Sequence, residues 1–239
     1  MRPRRKRVGL LVPSTNSAAE PELARHLPDE ATVHTARMRM TPDGGPAAML
    51  DTYLPEAVAD LATLGPDVVL FACTTAGAMR GSAYEADLLR AIEERTGATA
   101  LSVMAEAVAA LRRAGARRVG LLTPYPEEGT QAVANALRAA GFEVPVAKGL
   151  QIPGVRPPEL TAEDLIAFGR EALAGAEVDV VFISCTDLFT LDALDQFEAA
   201  FGKPVITSMS AGVEAVRRAL GVATDEQPKQ DGLLAGGRR

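Results

Sequence analysis

The phrase DVVLFACT occupies residues 67–74, and the phrase DVVFISCT occupies residues 179–186. Each is a continuous apolar run that ends in a cysteine followed by a threonine. Such runs are typical of parallel strands that are covered on both faces, so both phrases predict buried strands. Cys73 and Cys185 are the only cysteines in the chain. Two thiols at equivalent points of a repeated unit indicate a functional pair.

The repeat extends beyond the two cysteine phrases. VGLLVP at residues 8–13 recurs as VGLLTP at residues 119–124, and GATALSVM at 97–104 has a looser echo in GKPVITSM at 202–209. The copies lie ~110 residues apart, which is the size of a small domain rather than the period of a solenoid. The sequence of 239 residues therefore predicts duplication of one α/β unit.

Apolar runs alternate with helical patterns in both halves. Turn and cap residues mark the boundaries: Gly65 and Pro66 precede the first cysteine strand, Gly141 closes a helix, and Thr161 begins one. Strands are predicted near residues 6–12, 32–37, 67–72 and 98–102, and again near 118–122, 143–148, 179–184 and 204–207. Helices are predicted near 18–27, 52–64, 79–96, 128–141, 161–175 and 190–201. The fold class that follows is α/β, with parallel sheets flanked by helices.

Composition narrows the class of protein. The chain is 47% hydrophobic and has no tryptophan, which suits an aliphatic core, and its net charge of −6 argues against a nucleic-acid partner. No apolar run approaches the roughly 20 residues that span a membrane, and the basic start at residues 1–7 is not followed by a signal-peptide core. Two thiols without a dense cysteine framework fit a reducing compartment, so we expect a cytoplasmic protein, with a disulfide between them as the less favoured alternative.

Four residues are expected to meet in one place. In open parallel sheets, ligands bind outside the carboxyl ends of the strands. Cys73, Cys185, Asn16 and Tyr125 each lie just past such an end, so we expect all four in one crevice between the halves. A buried cysteine often serves only as a small hydrophobic residue, but the repeated phrase favours function. One of two facing thiols can deprotonate a carbon acid on one face while the other reprotonates it on the opposite face. Alternatively, one thiol adds covalently to the substrate while the other supplies the proton.

The residues around the cysteines are suited to anions. Thr74 and Thr75 follow the first cysteine, and Thr186 follows the second, in turns whose backbone N–H groups can form an anion-binding nest. Ser14 and Asn16 offer the same at the start of the first helix, where an ordinary helix cap is the alternative. The hydroxyl of Tyr125 would donate to a substrate carboxylate.

Cofactor signatures are missing from the sequence. No Gly-x-Gly-x-x-Gly follows a strand and no P-loop occurs, so nucleotide and flavin cofactors have no support. His26 and His34 have no cysteine or carboxylate at ligand spacing, which argues against a metal site. We therefore expect neither a cofactor nor a metal.

Four ordered motifs carry a family resemblance. VPSTN at residues 12–16 with Glu20, ACTT at 72–75, TPY at 123–125 and SCT at 184–186 resemble the signatures of maleate cis–trans isomerases. These enzymes belong with arylmalonate decarboxylases in the Asp/Glu racemase superfamily. The resemblance implies a cofactor-independent enzyme with two pseudo-twofold-related flavodoxin-like lobes and an active site in the cleft between them. It also implies discontinuous lobes, one of residues 1–104 plus 209–239 and the other of residues 105–208.

The resemblance also implies roles for the site residues. By the isomerase pattern, Cys73 adds to the alkene of maleate, the adduct rotates, and elimination gives fumarate, while Cys185 delivers and recovers the proton. Residues expected to bind the carboxylates of a small mono- or dicarboxylate substrate are Ser14, Asn16, Thr74, Thr75, Tyr125 and Thr186. We expect no nucleic-acid or membrane partner, and a homo-oligomer.

Departures from the isomerase pattern leave other activities open. Asp187 stands where isomerases usually have asparagine, and an expected second asparagine is missing from the stretch at residues 151–159, where Arg156 is the candidate to compensate. Leu191 and Asp192 resemble the decarboxylases, which typically lack the first cysteine. The alternatives are an arylmalonate-type decarboxylase, a racemase of an α-substituted acid, and an inactive carboxylate-binding protein.

Overall fold

Two parallel β-sheets form the frame of the computed structural model, which describes residues 5–29, 31–41, 45–153 and 159–222. In the first sheet the strand order is β2-β1-β3-β4, with β1 (Lys6–Pro13), β2 (Ala31–Met38), β3 (Val68–Phe71) and β4 (Thr99–Ser102). In the second sheet the order is β6-β5-β7-β8, with β5 (Arg118–Thr123), β6 (Glu143–Gly149), β7 (Val180–Ile183) and β8 (Val205–Thr207). The two orders correspond strand by strand, as duplication requires.

Register repeats between the sheets as well. Val8 pairs with Val68 in the first sheet, and Val119 pairs with Val180 in the second. The two cysteine strands are central in their sheets, and every residue of each is buried because helices cover both faces. This places the two Cys-Thr motifs at the carboxyl ends of central strands.

Helices connect and cover the strands. They are α1 (Ala19–His26), α2 (Gly45–Ala48), α3 (Leu54–Leu64), α4 (Thr74–Thr96), α5 (Val103–Arg113), α6 (Glu127–Ala139), α7 (Ala162–Ala172), α8 (Leu194–Phe201) and α9 (Ser208–Ala219). A short π-helical stretch at Met49–Tyr53 leads into α3, and a 3₁₀ turn at Leu191–Ala193 leads into α8. The predicted start at Thr161 is a capping box, in which the Thr161 hydroxyl accepts from the Asp164 N–H and the Asp164 side chain accepts from the Thr161 N–H.

The two halves exchange helices. Helix α9 follows the second sheet, yet its Met209 and Val216 are buried with Leu10 and Leu70 of the first sheet. Helix α5 follows the first sheet, and its Leu111 is buried with strands of the second. The two helices also pair with each other through Arg113–Glu214 and Arg218–Glu106 ion pairs. We retain the division into residues 1–104 plus 209–239 and residues 105–208 as a prediction.

Helix α4 differs most from its predicted extent. The sequence pattern placed its start near residue 79, because Thr-Thr-Ala-Gly is typical of a turn. In the structure the helix begins at Thr74, directly after an extended Cys73, and is interrupted at Gly81 with φ 83°. Threonine lowers helix stability mainly in helix interiors, so it is well tolerated at a helix start. The α/β class with two lobes is confirmed; no helix in the described part of the chain is long and apolar enough to cross a membrane.

Candidate active site

A cavity of about 300 Å³ lies where the carboxyl ends of the two sheets face each other. Its lining includes Asn16, Cys73, Thr74, Thr75, Tyr125, Cys185 and Thr186. Seven of the eight residues predicted from sequence are therefore brought to one cavity, from the segments that directly follow β1, β3, β5 and β7. Their roles in binding or catalysis stay predictions.

Cys73 is held at the beginning of a helix. It is the N-cap residue of α4, with only 6% of its surface exposed, and its thiol is free. Burial raises the pKa of the thiol from 9.0 to about 11, although the Ala76 N–H and the Thr75 hydroxyl act in the opposite direction. The thiolate would thus gain from the helix N-terminus.

Cys185 has different surroundings from Cys73. The β7 strand is followed by a turn rather than a helix, and α8 begins only at Leu194. The backbone N–H of Asp187 donates to Cys185 Sγ at 3.3 Å. Burial raises the pKa of this thiol to about 12, partly offset by the Asp187 N–H and the Tyr125 hydroxyl and reinforced by the Asp187 carboxylate.

The Tyr125 hydroxyl interacts electrostatically with both thiols. Burial is the largest cause that raises the pKa of its hydroxyl well above 10, and both Cys185 and Cys73 add to the shift. The phenol therefore stays protonated and can donate a hydrogen bond. A hydrogen bond also holds the backbone of Tyr125, because its carbonyl accepts from the Gln151 N–H at 3.2 Å.

Asn16 and Thr186 join the lobes at the cavity wall. The Asn16 Nδ2 donates to Thr186 Oγ1 at 3.1 Å, and that hydroxyl donates to the Ala72 carbonyl at 3.0 Å. Thr74 turns its hydroxyl toward Ser208 Oγ, 2.9 Å away, on the returning helix α9. All three side chains are buried and hydrogen-bonded, so they form a rigid wall.

Ser14 is the predicted site residue that lies outside the cavity lining. It is exposed; its N–H donates to the Met38 carbonyl at 2.7 Å, and its hydroxyl accepts from the Met40 N–H at 3.0 Å. These bonds fasten the end of β1 to the segment after β2. We therefore leave Ser14 out of the proposed substrate-binding set.

The predicted anion nest at the start of α1 is already filled. Asp187 Oδ1 accepts from the Ser17 N–H at 2.6 Å and from the Ala18 N–H at 3.2 Å, and Asn16 Oδ1 accepts from the Ala19 N–H at 2.9 Å. The anion at this helix start is thus a carboxylate from the other lobe, and not a substrate. Sequence could not reveal this, because the two partners are far apart in the chain.

Several lining residues were not anticipated. Met40, Met79, Ile152 and Pro153 make part of the wall apolar, and Glu128 adds a second carboxylate beside Asp187. Among the described residues that line the cavity there is no lysine, arginine or histidine. Apolar residues after strands carry no distinctive sequence signal. Arg156, the candidate for compensating charge, lies outside the described residues.

The family model for arylmalonate decarboxylase matches residues 8–234, which is nearly the whole chain. The chain belongs to the arylmalonate decarboxylase family. Within this family it is 30% identical to a maleate isomerase from Nocardia farcinica over 228 residues, covering 90% of each chain. It is 31% identical to an arylmalonate decarboxylase from Bordetella bronchiseptica over 227 residues, covering 90% of this chain and 91% of that protein.

A solved structure from the family adds chemistry to the likeness. It is a mutant of the Nocardia farcinica maleate cis–trans isomerase with a covalently bound succinylcysteine intermediate, and it matches with a TM-score of 0.81 at 28% identity. The match covers 91% of this chain and 93% of that one. The predicted group of maleate isomerases and arylmalonate decarboxylases is confirmed, and the predicted isomerase class is supported by the same relatives.

Proposed function

We propose that this chain is a cofactor-independent isomerase that uses Cys73 and Cys185 on a small carboxylate, in a maleate-to-fumarate type of cis–trans isomerisation. The observation that carries the proposal is the pair of free thiols at the ends of two equivalent strands, both lining one cavity. The covalent succinylcysteine reported for a family member supports a cysteine adduct. Thiol addition and proton transfer of this kind need no bound cofactor.

In the proposed reaction Cys73 first gives its proton to solvent, and the resulting thiolate forms a C–S bond to one alkene carbon. The π electrons move onto the neighbouring carboxylate as an aci-carboxylate, and Cys185 gives its proton to the adjacent carbon. The former double bond is now single and rotates. Cys185, as the thiolate, then takes the proton back, the double bond reforms in the trans geometry, and the C–S bond breaks. The Cys73 thiolate then regains a proton from solvent, so both thiols end as they began.

The cavity supplies donors for the charge that develops. Asn16 and the backbone around Thr186 lie on one wall, the helix start at Thr74 and Thr75 lies beside Cys73, and Tyr125 brings a neutral phenol. Donors that are fixed before the reaction stabilise a developing oxyanion without reorganising. We propose these five residues as the carboxylate-binding set.

A decarboxylase or racemase of an α-substituted acid is the alternative that the cavity itself favours. Met40, Met79 and Ile152 give it an apolar side, and a relative of similar identity is an arylmalonate decarboxylase. An inactive carboxylate-binding protein is the further alternative, motivated by Asp187 and Glu128 in the lining. We also propose a cytoplasmic homo-oligomer; light scattering of the purified protein tests the assembly.

Proton NMR of the reduced protein with maleate in deuterated water tests the proposed reaction. We expect fumarate to appear, and Cys73→Ala and Cys185→Ala each to lower the rate by about a thousandfold, because each removes one partner of a two-thiol step. Circular dichroism of both variants checks that the fold is kept. Full activity in either variant would rule out the paired mechanism.

The same experiment separates the alternatives. If maleate is unchanged, a substituted malonate is supplied next, and release of carbon dioxide would identify a decarboxylase. Deuterium entering the α-position of a chiral acid would identify a racemase. Calorimetric binding of a carboxylate that stays unchanged for hours would identify a binding protein.

A further inference from the structure

The duplicated cysteine motifs diverge at their third residue. The first reads Cys73-Thr74-Thr75, and the second reads Cys185-Thr186-Asp187. The third residue adjoins the thiol in both copies: the Thr75 hydroxyl lowers the pKa of Cys73, whereas the Asp187 carboxylate raises that of Cys185. One lobe thus places a hydrogen-bond donor beside its thiol, and the other places a negative charge.

The backbone adds a second difference of the same direction. Cys73 caps α4, so its sulfur lies at the positive end of a helix dipole. Cys185 is followed by an irregular turn, and the next α-helix starts at Leu194. A thiolate at the first position is stabilised by a helix start that the second position does not have.

The Asp187 carboxylate is fixed in place by α1. Its Oδ1 accepts from the Ser17 N–H at 2.6 Å, the Ser17 hydroxyl at 3.1 Å and the Ala18 N–H at 3.2 Å. Its own backbone N–H reaches Cys185 Sγ at 3.3 Å. These three hydrogen bonds hold the carboxylate charge near Cys185. Because the side chain is partly buried, solvent screens this charge less than it would screen a surface charge.

We propose that Asp187 is a positioning residue that gives the two thiols unlike roles: its fixed carboxylate keeps Cys185 in the protonated, acid form, and Cys73 is the thiol that ionises. The catalytic meaning of this division rests on the proposed function, in which Cys73 attacks and Cys185 gives a proton. The negative charge of Asp187, which would repel an anionic substrate, thus acts on the Cys185 thiol instead.

Other charged or titratable groups also face this thiol. Tyr125, from the turn after β5, favours its ionisation, whereas Cys73, from the end of β3, opposes it. Glu128 of α6 lines the same cavity. Burial raises the pKa of the Asp187 carboxyl, and the Ser17 and Ala18 donors and Arg37 of β2 oppose that shift and favour the charged form. Asp187 differs from these groups because it belongs to the second cysteine motif, at the position where the first motif has Thr75.

Alkylation kinetics test the proposal without any substrate. Reduced protein is treated with iodoacetamide at about pH 7 to 9, where the thiolate fraction sets the rate, and mass spectrometry of peptides reads Cys73 and Cys185 separately. In Asp187→Asn, whose amide oxygen still accepts from α1, we expect Cys185 to react about tenfold faster and Cys73 to stay within about twofold. Asp192→Asn is the matched control, an exposed acid of the same loop that pairs with Arg25, and both rates should stay unchanged.

The mirror variant keeps the test independent of one substitution. Thr75→Asp places a carboxylate in the first motif and should slow alkylation of Cys73 by about tenfold. An unchanged Cys185 rate in folded Asp187→Asn overturns the proposal, and so does an equal rise of both rates, which would indicate a loosened cavity. Because no turnover is measured, loss of the proposed function would show only in the maleate experiment and would leave these rates interpretable.

Discussion

Burial dominates the chemistry of the individual site residues. The pKa of Cys73 is raised to about 11 and that of Cys185 to about 12, in each case mainly because the thiolate loses its hydration. Both thiols are therefore protonated at rest near neutral pH. Each neighbouring donor, such as the Tyr125 hydroxyl, then decides how readily a thiol can give up its proton.

Replacement of Tyr125 by phenylalanine tests that donor. Its loss should raise the pKa of Cys185, slow the alkylation of Cys185, and lower the kcat of the proposed reaction by about 10- to 100-fold, the value of a hydrogen bond to a charged group. Tyr53→Phe is the control, because Tyr53 lies against Arg39 and outside the cavity lining. An unchanged kcat in Tyr125→Phe would remove Tyr125 from the proposed site.

At the scale of elements, the edge between β5 and β6 sets the position of Tyr125. Gly149 ends β6 and pairs with Thr123, the last residue of β5. A Cβ at residue 149 would overlap the Tyr125 carbonyl oxygen and Thr130 Oγ1. The Thr123 and Thr130 hydroxyls already share a hydrogen bond of 2.7 Å at this point, so neither can move freely. Glycine is needed here for close approach and not for an unusual backbone angle.

We therefore expect Gly149→Ala to lower the free energy of unfolding by about 2 kcal/mol or more, since backbone and not a flexible side chain blocks the new methyl group. Displacement of the Tyr125 turn should also lower turnover. Urea unfolding at constant m-value measures the change in stability. Lys148→Ala, at the exposed neighbouring position, should stay within about 0.5 kcal/mol of the parent protein. Equal stability of Gly149→Ala and the parent would refute the packing argument.

At the scale of the whole molecule, α1 of the first lobe fastens the loop that follows the second cysteine. Buried Glu22 Oε1 accepts from the Thr190 N–H at 2.6 Å and the Leu191 N–H at 2.8 Å, and Asp187 Oδ1 accepts from the Ser17 N–H just before the same helix. Asn16 and Thr186 add a third link between the lobes. These polar contacts, most of them buried, join the two lobes beside the cavity that both thiols line.

Glu22 should make stability depend on pH. Its side chain is 3% exposed, and burial, reinforced by Asp192 and opposed by Arg25 and the two N–H donors, raises its pKa from 4.5 to about 7. Between these values the folded state binds a proton that the unfolded state has lost, so the free energy of unfolding falls as pH rises, by up to about 3 kcal/mol. Urea unfolding at several pH values measures this slope.

Glu22→Gln should flatten that slope, because the side chain no longer titrates. Glu20→Gln is the matched variant on the same helix, where the side chain is 47% exposed and pairs with Arg37, and it should keep the parent profile. A parent protein whose stability does not fall relative to Glu22→Gln between about pH 5 and 7 would show that Glu22 is not held in this environment.

The sequence by itself determined the frame of this protein. Continuous apolar runs and repeated phrases predicted the eight parallel strands, and the signature is clearest in β3 and β7, where every residue is buried. The repeated Cys-Thr phrase and the strand-end rule also placed Cys73, Cys185, Asn16 and Tyr125 at one cavity. The strands depend on residues close together in the chain, and the binding rule for the ends of parallel strands extends that local pattern to the site.

Only the tertiary structure decided how the two halves act on each other. The filling of the α1 N-terminus by Asp187, the contacts of Glu22 with the loop after Cys185, and the place of Ser14 outside the cavity all depend on contacts between distant segments. The sequence showed Asp187 as a misplaced charge near an anion site. Folding brings it to a helix start, where free N–H groups stabilise its charge beside Cys185 and make the two equivalent thiols different.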